Sequence, residues 1–181
     1  MWENYHWDKT AKIQQYLIEI EGLKLVFLSL PQTPQVEENF RRISLLKSSV
    51  YSARIEGFSD TESNPKLESH NILTIYKMLY SDHLPKELSL DLIKSFHKQV
   101  LNHIAPGGFW RQEAWAIFNQ AGIAIDMTPA HFLLPTLMEG YVNFVNTLPE
   151  QSLIKAAVAQ FIFEKIHPLP DGNGRVGRII S

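Results

Sequence analysis

Twelve consecutive residues, His167-Pro168-Leu169-Pro170-Asp171-Gly172-Asn173-Gly174-Arg175-Val176-Gly177-Arg178, bring an imidazole, a carboxylate, three glycines and two arginines into one short stretch. These types suit the handling of phosphate. Gly172, Asn173 and Gly174 open the backbone, and helical spacing resumes after them, so free N–H groups converge at a new helix N-terminus, which attracts anions. Arg175 and Arg178 stand three apart on its first turn, at the positive end of the macrodipole, where a cation is disfavoured without a negative partner. A polyphosphate supplies one: the N–H groups take one phosphate and the guanidinium forks take others in bidentate fashion. Asp171 is a hard oxygen donor beside those phosphates, suited to magnesium, which takes one or two carboxylates plus phosphate oxygens and water. A neutral His167 is then the candidate general base.

The elements that must position these groups are legible on both sides. Ala156 to Ile166 is apolar almost all round and free of breakers, so it reads as a buried helix stopped by Pro168 and Pro170, with His167 at a rigid corner. Gly172 to Gly177 also matches G-x-G-x-x-G formally, but that fingerprint needs a strand before it and an acidic residue about twenty positions later, and neither is present. Taken singly, the same residues make a turn, solvated arginines and a histidine C-cap; taken together, they define a site. His97 and His103 lack the i, i+4 spacing of a helical zinc site and receive no chemistry.

The segment resembles the signature of the Fic (filamentation induced by cAMP) family, His-Pro-Phe-x-Asp/Glu-Gly-Asn-Gly-Arg-x-x-Arg, and departs from it only at Leu169, which keeps a bulky apolar anchor. The resemblance implies transfer of AMP from ATP to a Ser, Thr or Tyr hydroxyl of a target protein, self-modification included. It assigns His167 to deprotonate the hydroxyl, Asp171 to hold Mg2+, Gly172, Asn173 and Gly174 to cradle the α-phosphate, Arg175 to bind the more distal phosphates and Arg178 the γ-phosphate. The family core continues past Arg178 into part of the adenine pocket, so the resemblance also implies a chain truncated at its C-terminus.

A second segment, Ser52-Ala53-Arg54-Ile55-Glu56-Gly57, resembles the family's inhibitory motif, Ser/Thr-x-x-x-Glu-Gly/Asn. Val36, Phe40, Ile43, Leu46 and Val50 recur at helical spacing and Gly57 reads as the stop, which leaves Glu56 at the negative end of the dipole and in need of a cation. The resemblance names Arg178 as that cation and autoinhibition as the result. Ser52 either orients Glu56 or caps locally. A third segment, Pro106 to Ile125, reads as a hairpin across Asn119-Gln120. By resemblance it is the family's flap, with Trp110 in an aromatic place and Ala114, Trp115, Ala116, Ile117 and Phe118 available to bind the target as an added strand. Without that resemblance it is an ordinary hairpin packing on helices.

Bulk properties set the frame. The 181 residues, 45% hydrophobic, are enough for one compact unit with a sizeable core. A net charge of −2 with dispersed Lys and Arg gives no basic field for nucleic acid. The absence of cysteine excludes disulfides and thiolate zinc sites. No targeting signal or membrane span is read, so the cytoplasm is the expected location. Helical patterns cover 9–29, 35–56, 66–80, 89–104, 129–147, 151–166 and 173–181, with helix starts at Ser89 and Thr128-Pro129. The expected fold is all-α, a Fic-type helical bundle with one β-hairpin flap. Its expected organisation is an N-terminal helical region with the inhibitory helix (1–62), joined through a linker at 57–65 to the core (63–181). The alternative activities are AMP-protein hydrolysis at the same site, with Glu56 placing a water, and nucleotide binding without turnover. The expected partners are ATP and a hydroxyl-bearing target protein, with no nucleic acid and no membrane; a homodimer is compatible with the sequence.

Overall fold

The computed structural model describes residues 6–31, 33–55, 65–81, 85–114, 116–118, 121 and 124–181. Among them are seven α-helices and two short strands. The chain divides into two compact units, Met1–Ser44 and Leu45–Ser181, and the boundary expected at residue 62 lies outside the described residues. In the first unit, α1 (Ala11–Ser29) starts on Thr10, whose hydroxyl accepts from the Ile13 N–H at 3.3 Å. The second helix, α2 (Pro34–Ile55), begins on a proline, where the missing N–H has no intrahelical partner to lose. Phe27 and Phe40 meet edge to face, with ring centroids 6.4 Å apart.

The second unit holds the end of α2 and the rest of the chain. Helix α3 (Pro65–Leu79) buries Glu68, Asn71, Ile72 and Ile75, an i, i+3, i+4, i+7 stripe that includes two polar residues. Helix α4 (Leu90–Val100) starts at Ser89 as expected, the serine hydroxyl accepting from the Leu92 N–H at 3.1 Å. It stops at Val100, short of the expected 104. There Asn71 of α3 donates to the carbonyls of Val100 and Asn102, at 3.1 and 2.8 Å, and so caps the helix end from outside.

Strands β1 (Ala116–Phe118) and β2 (Ala124–Met127) pair antiparallel, Ala116 opposite Met127 and Ile117 opposite Asp126, with an irregularity before Phe118. Helix α5 (Leu134–Thr147) follows a 3-10 turn at His131–Leu133 and starts five residues after the expected 129. The Pro129 carbonyl is taken by the Arg111 guanidinium, and Ala130 is extended, so the helical bonds form only beyond them. Helices α6 (Ser152–Ile166) and α7 (Asn173–Ile180) complete the unit.

The core is apolar and continuous: Ile72, Ile75, Ile93, Leu134, Met138, Tyr141, Ile162, Phe163 and Val176 are all wholly buried. Each large aliphatic residue there contributes about 1.5–3 kcal/mol of transfer free energy. Helix α7 packs on α3, α4 and α6, which makes it the element through which the rest of the bundle acts on the signature segment. No helix among the described residues is long and apolar enough to cross a membrane.

Candidate active site

His167 terminates α6 in the left-handed region, φ 49° and ψ 59°, with its N–H bonded to the Phe163 carbonyl at 2.9 Å. A non-glycine residue there is strained unless its surroundings hold it. Arg111 does so. Its guanidinium, buried to 4% exposure, donates to the carbonyls of His167 at 2.7 Å, Glu113 at 2.6 Å, Pro129 at 2.5 Å and Ile166 at 3.4 Å, while its own N–H donates to Pro168 at 2.9 Å. One side chain therefore satisfies the orphan carbonyls at the end of α6 and ties them to the segments before β1 and α5. Burial lowers its pKa, and the converging carbonyl dipoles favour the charged form.

The loop after His167 is closed by Asn173. Its Oδ1 accepts from the Leu169 N–H at 2.9 Å and its Nδ2 donates to the Leu169 carbonyl at 2.7 Å. Leu169 is itself wholly buried, so the loop is anchored at both its backbone and its side chain. Gly172 then turns at φ 76°, a conformation that side chains disfavour, and α7 starts with no side chain capping its N-terminus. The first N–H groups of α7 are thus offered to the cleft.

Asp171 and the two arginines have separate surroundings. Asp171 Oδ1 accepts from the Gly172 N–H at 2.5 Å and from Arg175 at 2.8 Å, while the side chain as a whole is 63% exposed. Arg175 is buried, and its other Nη lies 3.2 Å from Glu68 of α3. Arg178 donates through Nε to the Ser52 hydroxyl at 3.0 Å and through Nη2 to the Ser52 carbonyl at 2.9 Å. Ser52 lies in the last turn of α2, so this cation sits on the negative end of that helix. Glu56 and Trp115 lie outside the described residues. Ala114 is exposed before β1, and Ala116 to Phe118 form β1 itself.

A cleft of about 320 Å³ is lined by His167, Asp171, Gly172, Asn173, Gly174 and Arg178, with Gln160, Glu164 and Pro170. It brings together the predicted base, metal ligand, backbone cradle and one arginine. Arg175 is behind the loop, not on the wall. No group of three His, Cys, Asp or Glu among the described residues could cage a metal. One exposed carboxylate beside a phosphate cradle nevertheless suits magnesium, which keeps waters and draws ligands from phosphate.

The family model described as Fic/DOC family matches residues 87–181, more than half of the chain. The chain belongs to that family. A protein adenylyltransferase Fic of Drosophila virilis is 32% identical over 99 residues, covering 52% of this chain and 19% of that protein. A probable protein adenylyltransferase of Aquifex aeolicus is 40% identical over 53 residues, covering 29% of this chain and 17% of its own. The chain thus spans under a fifth of the length of these curated relatives. Among solved structures, a Fic domain containing signaling protein from Bacteroides thetaiotaomicron superposes with TM-score 0.71 at 18% identity, over 83% of this chain and 65% of that one. Fic-1 from C. elegans superposes with TM-score 0.72 at 19% identity, over 94% and 55%. At such identity the likeness is one of fold.

Four residues of this Fic centre carry more than their sequence positions announce. Glu68 and Arg111 are described above. Glu164 lies in the cleft one turn before His167, its Oε2 3.9 Å from His167 Nδ1. Gly177 makes room for it, since a Cβ there would come within 2.7 Å of Glu164 Oε1. His97, wholly buried on α4, accepts from the Gly108 N–H at 3.0 Å through Nδ1, which leaves its proton on Nε2. Burial pushes its pKa down to about 4, Asp171 opposing the shift and Arg175 adding to it. For Glu68 and His97 the legible signal is polarity on a buried stripe: Glu68 falls in phase with Ile72 and Ile75, and His97 with Ile93 and Val100.

Proposed function

We propose that this chain carries the transfer centre of a protein adenylyltransferase, moving AMP from ATP to a Ser, Thr or Tyr hydroxyl of a target protein or of itself. The observation that carries the reading is the single cleft in which His167 and Arg178 flank an uncapped helix N-terminus with Asp171 at its edge. In the proposed reaction the α-phosphate sits on the N–H groups of Asn173 and Gly174, and Arg178 reaches the distal phosphates. His167 takes the proton of the target hydroxyl, whose oxygen bonds to the α-phosphorus as the bond to the β-phosphate oxygen breaks and pyrophosphate leaves. Magnesium on Asp171 would neutralise charge on the phosphates. Arg175, expected on the distal phosphates, would serve them through Asp171, to which it is bonded.

The same reading includes restraint. The Ser52 contacts hold the Arg178 guanidinium against α2, and Glu56, four residues further along the sequence, would complete an anionic stand-in for the γ-phosphate. The strand Ala116–Phe118, with Ala114 and Trp115 before it, would take a target segment by strand addition. Incubation of wild type, Glu56→Gly and His167→Ala with magnesium and ATP labelled at the α-phosphate tests the reading. Label on Glu56→Gly, little on wild type and none on His167→Ala is the expected pattern. Label that persists on His167→Ala would overturn it, and release of AMP from a modified protein without transfer would favour the hydrolase.

A further inference from the structure

Glu68 is a buried carboxylate with no part in the reaction as proposed, and it comes from α3, outside the signature segment. It is 8% exposed, and its Oε2 lies 3.2 Å from Arg175 Nη1, a guanidinium that is itself 4% exposed. The other Nη of Arg175 donates to Asp171 Oδ1 at 2.8 Å, and that same oxygen takes the Gly172 N–H. Asp171 Oδ2 has no hydrogen bond among the described residues. A single arginine thus stands between two carboxylates, one buried and fixed, the other at the cleft.

The charges decide what this arrangement does. An arginine paired only with Asp171 would neutralise the one acidic ligand that the cleft offers a cation. With Glu68 on its far side, the three groups sum to one negative charge, and Arg175 can orient Asp171 through Oδ1 without cancelling it. Gly172 lies over the guanidinium, where a Cβ would be in ordinary van der Waals contact with Arg175 Nη2 at 3.6 Å and Nε at 3.7 Å. Arg175 Nε is buried without a hydrogen bond among the described residues, so both ion contacts fall on the two Nη atoms and the fork has no other anchor. We propose that Glu68 is a positioning residue that shares the charge of Arg175 and thereby sets the affinity of Asp171 for a divalent cation. This rests on the assignment of Asp171 as the metal-holding carboxylate.

The test is a Mn2+ titration of the full chain without nucleotide, bound and free metal being separated by the electron paramagnetic resonance signal. Groups that act on a metal through its ligand typically change its affinity by about 10–100-fold, so Glu68→Gln is expected to weaken Mn2+ by about tenfold, although Glu68 does not touch the metal. Breaking a buried pair destabilises the fold, whereas replacing both members is tolerated. Glu68→Gln/Arg175→Gln therefore serves as the folded comparison, and its Mn2+ affinity is expected within about threefold of wild type, because the net charge is restored. Loss of Mn2+ in Asp171→Asn with wild-type binding in Glu68→Gln, or a double variant as weak as Glu68→Gln, would overturn this inference alone. Mn2+ binding unaffected by Asp171→Asn would overturn the metal assignment and this inference together, independently of whether AMP transfer is observed.

Discussion

At the residue scale, the signature segment divides between groups that face the cleft and groups that hold its backbone. The Asn173 side chain is spent on both backbone groups of Leu169, so only its N–H is left for the phosphate cradle that the resemblance implies. Asn173→Ala would orphan a buried donor and acceptor, and is expected to cost about 2–4 kcal/mol in urea unfolding. Arg111 is a second such case. Arg111→Lys keeps the charge but not the planar fork that reaches several carbonyls. It should lower kcat for label transfer about tenfold or more with KM for ATP little changed, since the misplaced group would be the His167 corner and not the phosphate cradle. The base, the carboxylate and the glycine turn were legible because motif spacing fixes them locally. The Glu68 partner of Arg175 was not, because it comes from α3, about a hundred residues earlier, and the Leu169 partner of Asn173, though only four residues back, depends on how the loop closes.

At the element scale, α7 packs on α3, α4 and α6 and is tied to α2 through Ser52. Its start requires Gly172 at φ 76°, so Gly172→Ala is expected to cost about 1 kcal/mol in thermal unfolding and to weaken ATP binding by misaiming the N–H groups. Its outer turn is held by α2 through two acceptors on Ser52, a hydroxyl and a carbonyl. Ser52→Ala removes only the hydroxyl. It should therefore raise AMP transfer by less than Glu56→Gly does, and an equal or greater rise would contradict the carbonyl's share of the restraint. The helices themselves were readable from apolar periodicity, and Ser89 was readable as a cap. Helix ends at Val100 and Leu134 were not, since Asn71 and Arg111 reach the carbonyls of Val100 and Pro129 from other elements, which no local pattern encodes.

At the scale of the whole molecule, the bundle is built around polar groups that it keeps dry. His97 is the clearest: wholly buried, neutral, with its pKa near 4. An unfolded histidine binds its proton at about 6.5, so between that pH and about 4 the unfolded state holds the extra proton and stability falls as pH falls. The full loss is on the order of 3 kcal/mol. His97→Asn, whose amide oxygen can still accept from Gly108, should flatten this limb in urea unfolding followed from pH 7 to 4.5, and an unchanged slope would count against it. The function proposed for this bundle is restrained AMP transfer. Its most direct measurement is a paired incubation of Glu56→Gly with ATP labelled at either the α- or the γ-phosphate. Adenylyl transfer puts α-label on protein and γ-label in pyrophosphate; γ-label on protein, or free AMP with no label on protein, would contradict it.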